Sequence, residues 1–188
     1  SILRYSLPLL ILGIAGIANQ NLDKIIFPYL RPGDQGKAEL GIYGATSKLS
    51  MVMMMFTQAF RYAYEPFIFA KNSDADSKAT YSNAMKYFVI TTLFIFLIII
   101  AYIDIFKLLL GPQYREGIRI IPIVLMAYFL QGVMYNLSLW YKLVYKTMFG
   151  AWFSLIGFIV TLVINIVFIP LYSYMASAWA ALVSAVVM

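Results

Sequence analysis

An all-α, polytopic transmembrane bundle of about six helices is predicted by three observations. The composition is strongly apolar, apolar runs of about 20 residues recur along the whole chain, and strand-like alternation is missing. Of 188 residues, 63% are hydrophobic and 12% charged, against roughly half and a quarter in soluble domains; the mean hydropathy is +0.83. A soluble core cannot absorb that much apolar surface, whereas a bilayer demands it. In lipid every backbone group must be satisfied within its own segment, so runs of this length are helices, and a barrel would instead show about ten residues of alternation per strand.

Cysteine and histidine are both absent. That excludes disulfides, thiolate metal sites and imidazole proton shuttles, and neither a metal nor a cofactor is expected. The formal net charge is +6, but the basic residues are scattered between apolar runs rather than gathered into a patch. Nucleic acid is therefore not an expected partner, and membrane lipid or an anionic substrate is. The chain opens at Ser1 and closes at Met188 within an apolar run, which suggests a larger protein; no signal peptide is recognisable.

Taken in order, the predicted helices span about 3–26, 40–70, 87–103, 120–143, 149–169 and 175–188, the last cut short. Between the first two lies a turn over 28–36 built on Arg31, Pro32, Gly33 and Asp34. The polar stretch 71–82 is a solvated loop or an interfacial helix. After the nearly pure hydrocarbon third helix, 104–119 forms a connection with Gly111 and Pro112 as its turn and Gly117 as a second breaker. Pro170 is expected to stop the fifth helix. Basic residues are shared equally between the two faces: Arg4, Lys71, Lys78, Lys86, Lys142 and Lys146 against Lys24, Arg31, Lys37, Lys107, Arg115 and Arg119. Charge counts therefore leave orientation open.

Ionisable groups at membrane depth are costly, so their positions are informative. The second helix carries Lys48, Arg61 and Glu65. At about 100° per residue, Gly44, Lys48, Met55, Ala59 and Tyr62 share one stripe, and Gln58, Arg61 and Glu65 another. Arg61 and Glu65 stand four apart and are spaced as an ion pair. Pro66 follows directly and is expected to end the helix or act as a hinge. The first helix carries a polar ladder, Asn19, Gln20, Asn21, Asp23 and Lys24, which lines a cavity if the helix continues through it and is an ordinary interfacial end if it does not. Tyr128, Tyr135, Trp140, Tyr141, Tyr145 and other aromatics suit an interfacial belt, some of them sugar stacking. Met51, Met53, Met54 and Met55 suit adaptable packing. Gln131, Asn136, Ser138 and Asn165 suit interhelical hydrogen bonds.

The stretches LRYSLPLLILGIAG (3–16), NLDK (21–24), LGIYGATSKLSMVMMMFTQAFRYAYEPFIFAK (40–71) and NLSLWYKLVYKTMFGAW (136–152) resemble the polysaccharide-exporter branch of the multidrug, oligosaccharidyl-lipid and polysaccharide exporter superfamily, particularly O-antigen-type lipid-linked oligosaccharide flippases. The resemblance covers nearly the whole chain. Its most specific elements are Asp23, Ile42-Tyr43-Gly44 with Lys48, and the run from Ala59-Phe60 to Pro66-Phe67. It implies one lobe of a two-lobed transporter, with the first lobe of the same chain as partner and a cytoplasmic start for the first helix. It also implies a bacterial inner-membrane location and alternating-access transport of an undecaprenyl-diphosphate oligosaccharide for surface polysaccharide synthesis. An H+ or Na+ gradient is a possible energy source, with no coupling residue carried over.

On this expectation Lys48, Arg61 and Lys24 face the cavity and contact the diphosphate. Asn19, Asp23, Gln58 and Glu65 line the cavity or couple it to an ion. A multidrug cation exporter of the same fold is an alternative, as are a membrane glycosyltransferase or polymerase and a structural membrane subunit. Two cations against one acid on the second helix favour anion handling over cation export. Carboxylates lying mostly in loops without paired spacing weigh against catalysis.

Overall fold

The computed structural model describes residues 2–70, 77–144 and 146–188; Lys71, Asp74, Asp76 and Tyr145, to which the sequence assigned faces or interfaces, lie outside them. Among the described residues the chain is helical throughout, with no strand. Seven α-helices run α1 Ile2–Leu30, α2 Asp34–Ala70, α3 Ser77–Ala101, α4 Ile103–Leu108, α5 Ile121–Leu143, α6 Met148–Tyr172 and α7 Tyr174–Val187, with a 3-10 helix, Pro112–Ile120, leading into α5. Three spans are long and apolar enough to cross a membrane: Ala79–Ala101, Pro112–Leu143 and Met148–Tyr172.

Several boundaries differ from expectation, each for a physical reason. α1 runs on through its polar ladder to Leu30: Asn19 donates to Ser184 of α7, Gln20 to the Tyr135 hydroxyl of α5, and Asn21 to the Ile17 carbonyl one turn back. The α1–α2 turn shrinks to residues 31–33. Gly33 takes a φ of 96°, and Gly36 brings its α-carbon against the Arg31 carbonyl, where a side chain would collide. α2 starts at Asp34, ahead of the predicted 40, and ends at Ala70 as the predicted span does, running on through Pro66; a proline inside a helix withholds one N–H, and membrane helices tolerate that loss. Pro170 likewise lies inside α6, whose break comes instead at Ser173, with φ 53°. The segment before the third apolar run is helical from Ser77, ten residues ahead of the predicted start at 87. Within 104–119, α4 and the 3-10 helix replace an irregular connection. Gly117 is no breaker: a Cβ there would stand 2.6 Å from Cγ2 of both Ile42 and Thr46, so the glycine admits close contact with α2.

Around the bundle α1 packs on α6, α6 on α7, α7 on α5, and α5 on α2, while α1 and α2 touch only sparingly. The α6–α7 seam follows from composition. Gly150, Ser154, Gly157, Thr161 and Asn165, spaced three or four apart, are all buried, as are Ala176, Ser177, Ala180 and Ser184 of α7, and the two rows meet at Asn165 with Ser177 and at Gly157 with Ser184. Small residues let membrane helices approach, and polar ones then bond across. Ser177 Oγ donates to Asn165 Oδ1 at 3.0 Å, and Ser184 Oγ donates to the Gly157 carbonyl at 3.0 Å. α3 is held by Phe88, fully buried against Phe56 and Phe60 of α2, with ring centroids 6.3 and 5.0 Å away. Its opposite face, including Ile90, Phe94 and Leu97, is exposed, as suits a helix facing lipid. At the turn end, Arg31 donates two hydrogen bonds to Glu39, at 3.1 and 3.2 Å, and the Ser173 hydroxyl donates to the same carboxylate at 2.5 Å. The α1–α2 and α6–α7 turns are thereby fastened together.

Candidate functional site

Because α1 leans on α6 and α2 on α5, two helices adjacent in sequence diverge from their fastened turn. The space between them is a cavity of about 570 Å3 bounded by α1, α2, α5, α6 and α7. From α1 it is lined by Asn19, Gln20, Asn21, Asp23 and Lys24, although the Asn21 amide bonds back to the Ile17 carbonyl of its own helix at 3.0 Å. From α2 come Tyr43, Met51, Met54, Gln58 and Arg61, and from α5 Tyr128, Gln131 and Tyr135. Thr161, Ser177 and Ser184 contribute the polar edge of the α6–α7 seam.

The cavity has two charged poles. Near the turn end Asp23 is buried, accepts from the Lys24 backbone N–H at 2.8 Å, and is faced by the phenols of Tyr43 and Tyr128. At the other pole the Arg61 guanidinium lies over the Tyr135 ring, 5.3 Å from its centroid. Gln20 Nε2 donates to the Tyr135 hydroxyl at 2.9 Å, tying α1 to the same group. Arg61 Nε donates to Glu65 Oε2 at 3.2 Å, and Lys142 Nζ of α5 donates to Glu65 Oε1 at 2.7 Å. Asn19 Nδ2 donates to Ser184 Oγ at 3.2 Å. Asn19 Oδ1, Gln58 Oε1 and Thr161 Oγ1 are buried without a hydrogen-bond partner, leaving three acceptor oxygens among the lining residues.

Of the residues singled out in the sequence, Asn19, Asp23, Lys24, Gln58 and Arg61 meet at this cavity. Lys48 does not. Met51, Met54, Gln58 and Arg61 set the inward row, and at about 100° per residue Lys48 points roughly 100° away from its centre. It is exposed, on the same outward stripe as Met55, Ala59 and Tyr62. Placing it at the diphosphate is therefore corrected: its polarity was visible, but its phase was set by where α5 packs. Glu65 stands behind Arg61 rather than in the lining, and Pro66 is exposed in a continuous helix. Lys142, counted in the sequence among the basic residues of one membrane face, is the second cation on Glu65, 77 residues away in sequence. No local pattern announces a pair at that separation. Tyr43 carried a signal only within the Ile42-Tyr43-Gly44 element of the resemblance, and Tyr128 and Tyr135 only as part of the aromatic excess. Thr161 had one in the small-residue row of α6.

Fold and site together describe a helical membrane protein with a polar, mixed-charge chamber enclosed by five helices. No protein-family model, curated protein or solved structure matches the chain.

Proposed function

We propose that the chain is one lobe of a flippase that moves an undecaprenyl-diphosphate-linked oligosaccharide across the bacterial inner membrane by alternating access, for surface polysaccharide synthesis. The observation that carries this reading is Arg61: a guanidinium on the 37-residue helix α2, in the cavity lining and over the Tyr135 ring, 5.3 Å from its centroid. In the lining Lys24 and Arg61 stand against Asp23, with Glu65 and Lys142 paired behind Arg61, so the group carries one positive charge net. At about 4 Å and an effective dielectric near 20, each cation is worth roughly 4 kcal/mol to a phosphate charge. That is comparable to the cost of bringing an anion out of water into such a site, and the forked guanidinium suits phosphate oxygens better than an ammonium does. Amide groups of Asn19, Gln20, Gln58 and Gln131 with three phenols suit a hydroxyl-rich ligand. The resemblance to polysaccharide exporters points the same way and supplies the remaining lobe, the cytoplasmic start of α1 and a possible H+ or Na+ gradient.

The test is complementation of a flippase-null strain with the full-length protein. Arg61→Ala is expected to abolish surface polysaccharide at unchanged expression, and normal export by that variant overturns the assignment. One observation favours a second reading, a multidrug cation exporter on the same fold. Asp23 is buried in the lining between two tyrosines, as a seat for an organic cation would be. Cation resistance lost on Asp23→Asn, with export intact in Arg61→Ala, would select it.

A further inference from the structure

Glu65 spends its two oxygens on cations from two different helices, Oε2 on Arg61 of α2 and Oε1 on Lys142 of α5. A purely structural i, i+4 pair needs no third member. Yet Lys142 is drawn in from the end of α5, and its side chain is only 18% exposed, less than the 33% of Arg61. One carboxylate cannot neutralise two cations. The guanidinium meets Glu65 through Nε alone. Among the described residues its terminal nitrogens, the prongs that grip a phosphate, carry no hydrogen bond. Tyr135 covers one face of the group and so holds its plane. A free fork, a fixed plane and a second ammonium on the shared carboxylate are the parts of an anion seat with a counter-anion already in it.

We propose that Arg61 and Lys142 form a two-cation seat for a phosphate-type anion, that Glu65 fills it when no ligand is present, and that the ligand binds by exchanging with Glu65. The inference rests on the anion-handling reading of the cavity. To it are added the partner cation and the group that competes for the seat. Exchange also has a mechanical consequence. At this pole Glu65 links α2 to α5 through Lys142, and a ligand held by Arg61 of α2 and Lys142 of α5 replaces that link and resets the spacing of the two helix ends. Binding and helix movement are then coupled through one carboxylate, with the differential contact that any ligand-driven change requires.

The test uses the full chain in phosphatidylcholine nanodiscs titrated with inorganic pyrophosphate. Glu65→Gln keeps the shape and removes the competing charge, and is expected to bind at least about tenfold tighter than the native chain, within the usual range of coupling. Adding Arg61→Ala or Lys142→Ala to Glu65→Gln is expected to cancel the gain. Equal or weaker binding by Glu65→Gln overturns the proposal, as does a gain that survives both additions. Repeating the titration in discs containing phosphatidylglycerol separates the sources. Competition there assigns the seat to a lipid headgroup, and its absence to a soluble diphosphate.

A second measurement needs no change at Glu65. The chain has no cysteine, so Tyr62→Cys and Val144→Cys, both at exposed positions, can carry a spin-label pair across α2 and the end of α5. Saturating pyrophosphate is expected to change that distance, because the ligand then bridges the two cations in place of Glu65, and an unchanged distance refutes exchange. Export lost in Arg61→Ala without exchange would refute the seat and leave the transport reading standing. Exchange with normal export in Arg61→Ala would do the reverse.

Discussion

Gly132 on α5 shows how finely single positions are set. A Cβ there would lie 2.7 Å from Phe88 Cζ and 2.9 Å from Thr57 Oγ1, and both neighbours are buried. Neither can withdraw without disturbing the α2–α3–α5 contact. Gly132→Ala is therefore expected to destabilise the fold by about 1–3 kcal/mol, the usual cost of overpacking. Gly44→Ala, with nothing within 4 Å, is expected to be close to neutral. Thermal unfolding in detergent measures both, and equal melting temperatures would contradict the packing around Phe88. The charged residues divide in a similar way. Arg61 and Lys48 look alike in the sequence, each a cation in an apolar helix. What separates them is helical phase relative to α5, which turns one into the cavity and leaves the other exposed.

For the elements, the α6–α7 hairpin makes the clearest case. Its buried row from Gly150 to Asn165 was present in the sequence as small or polar residues at helical spacing, and the structure places α7 against it. Asn165 is fully buried, donates to the Thr161 carbonyl at 2.9 Å and accepts from Ser177. Bonds of this kind within membranes contribute about 0.6 kcal/mol on average and up to about 1.7. A double-mutant cycle on Asn165→Ala and Ser177→Ala, read from SDS unfolding, should return a coupling energy in that range; strictly additive effects would mean the bond does not form. Helix interiors were legible here because apolar length is a local property. Some helix ends were legible too, as at Ala70 and Leu143, but others were not: the polar ladder of α1 gives no sign of whether it ends a helix or lines a chamber, Pro66 reads as a stop or a hinge inside a helix that runs past it, and Pro170 reads as a stop although it is not one. Each outcome depends on neighbours elsewhere in the chain that supply or replace hydrogen bonds.

In the whole molecule, divergence of α1 from α2 makes the chamber, and it follows from which partners the two helices choose. The absence of native cysteine allows a direct check with single-cysteine variants in membranes. Gln58→Cys and Gln131→Cys, both in the lining, are expected to react with a charged, water-soluble thiol reagent. Phe94→Cys and Leu97→Cys, on the exposed apolar face of α3, are expected to be protected by lipid. The opposite pattern would remove the polar chamber, and with it both readings of function.

The sequence alone determined that the chain is an apolar helical bundle, roughly where its helices lie and which residues are costly in lipid. Those properties depend on composition and on spacing within one segment. Only the tertiary structure decided that the α1 ladder, Gln58 and Arg61 face one space, that Lys48 does not, and that Lys142 reaches Glu65 across 77 residues. The physical reason is that a helix fixes the angles between its own side chains but not its rotation about its axis. Packing against α5 and α6 sets that rotation.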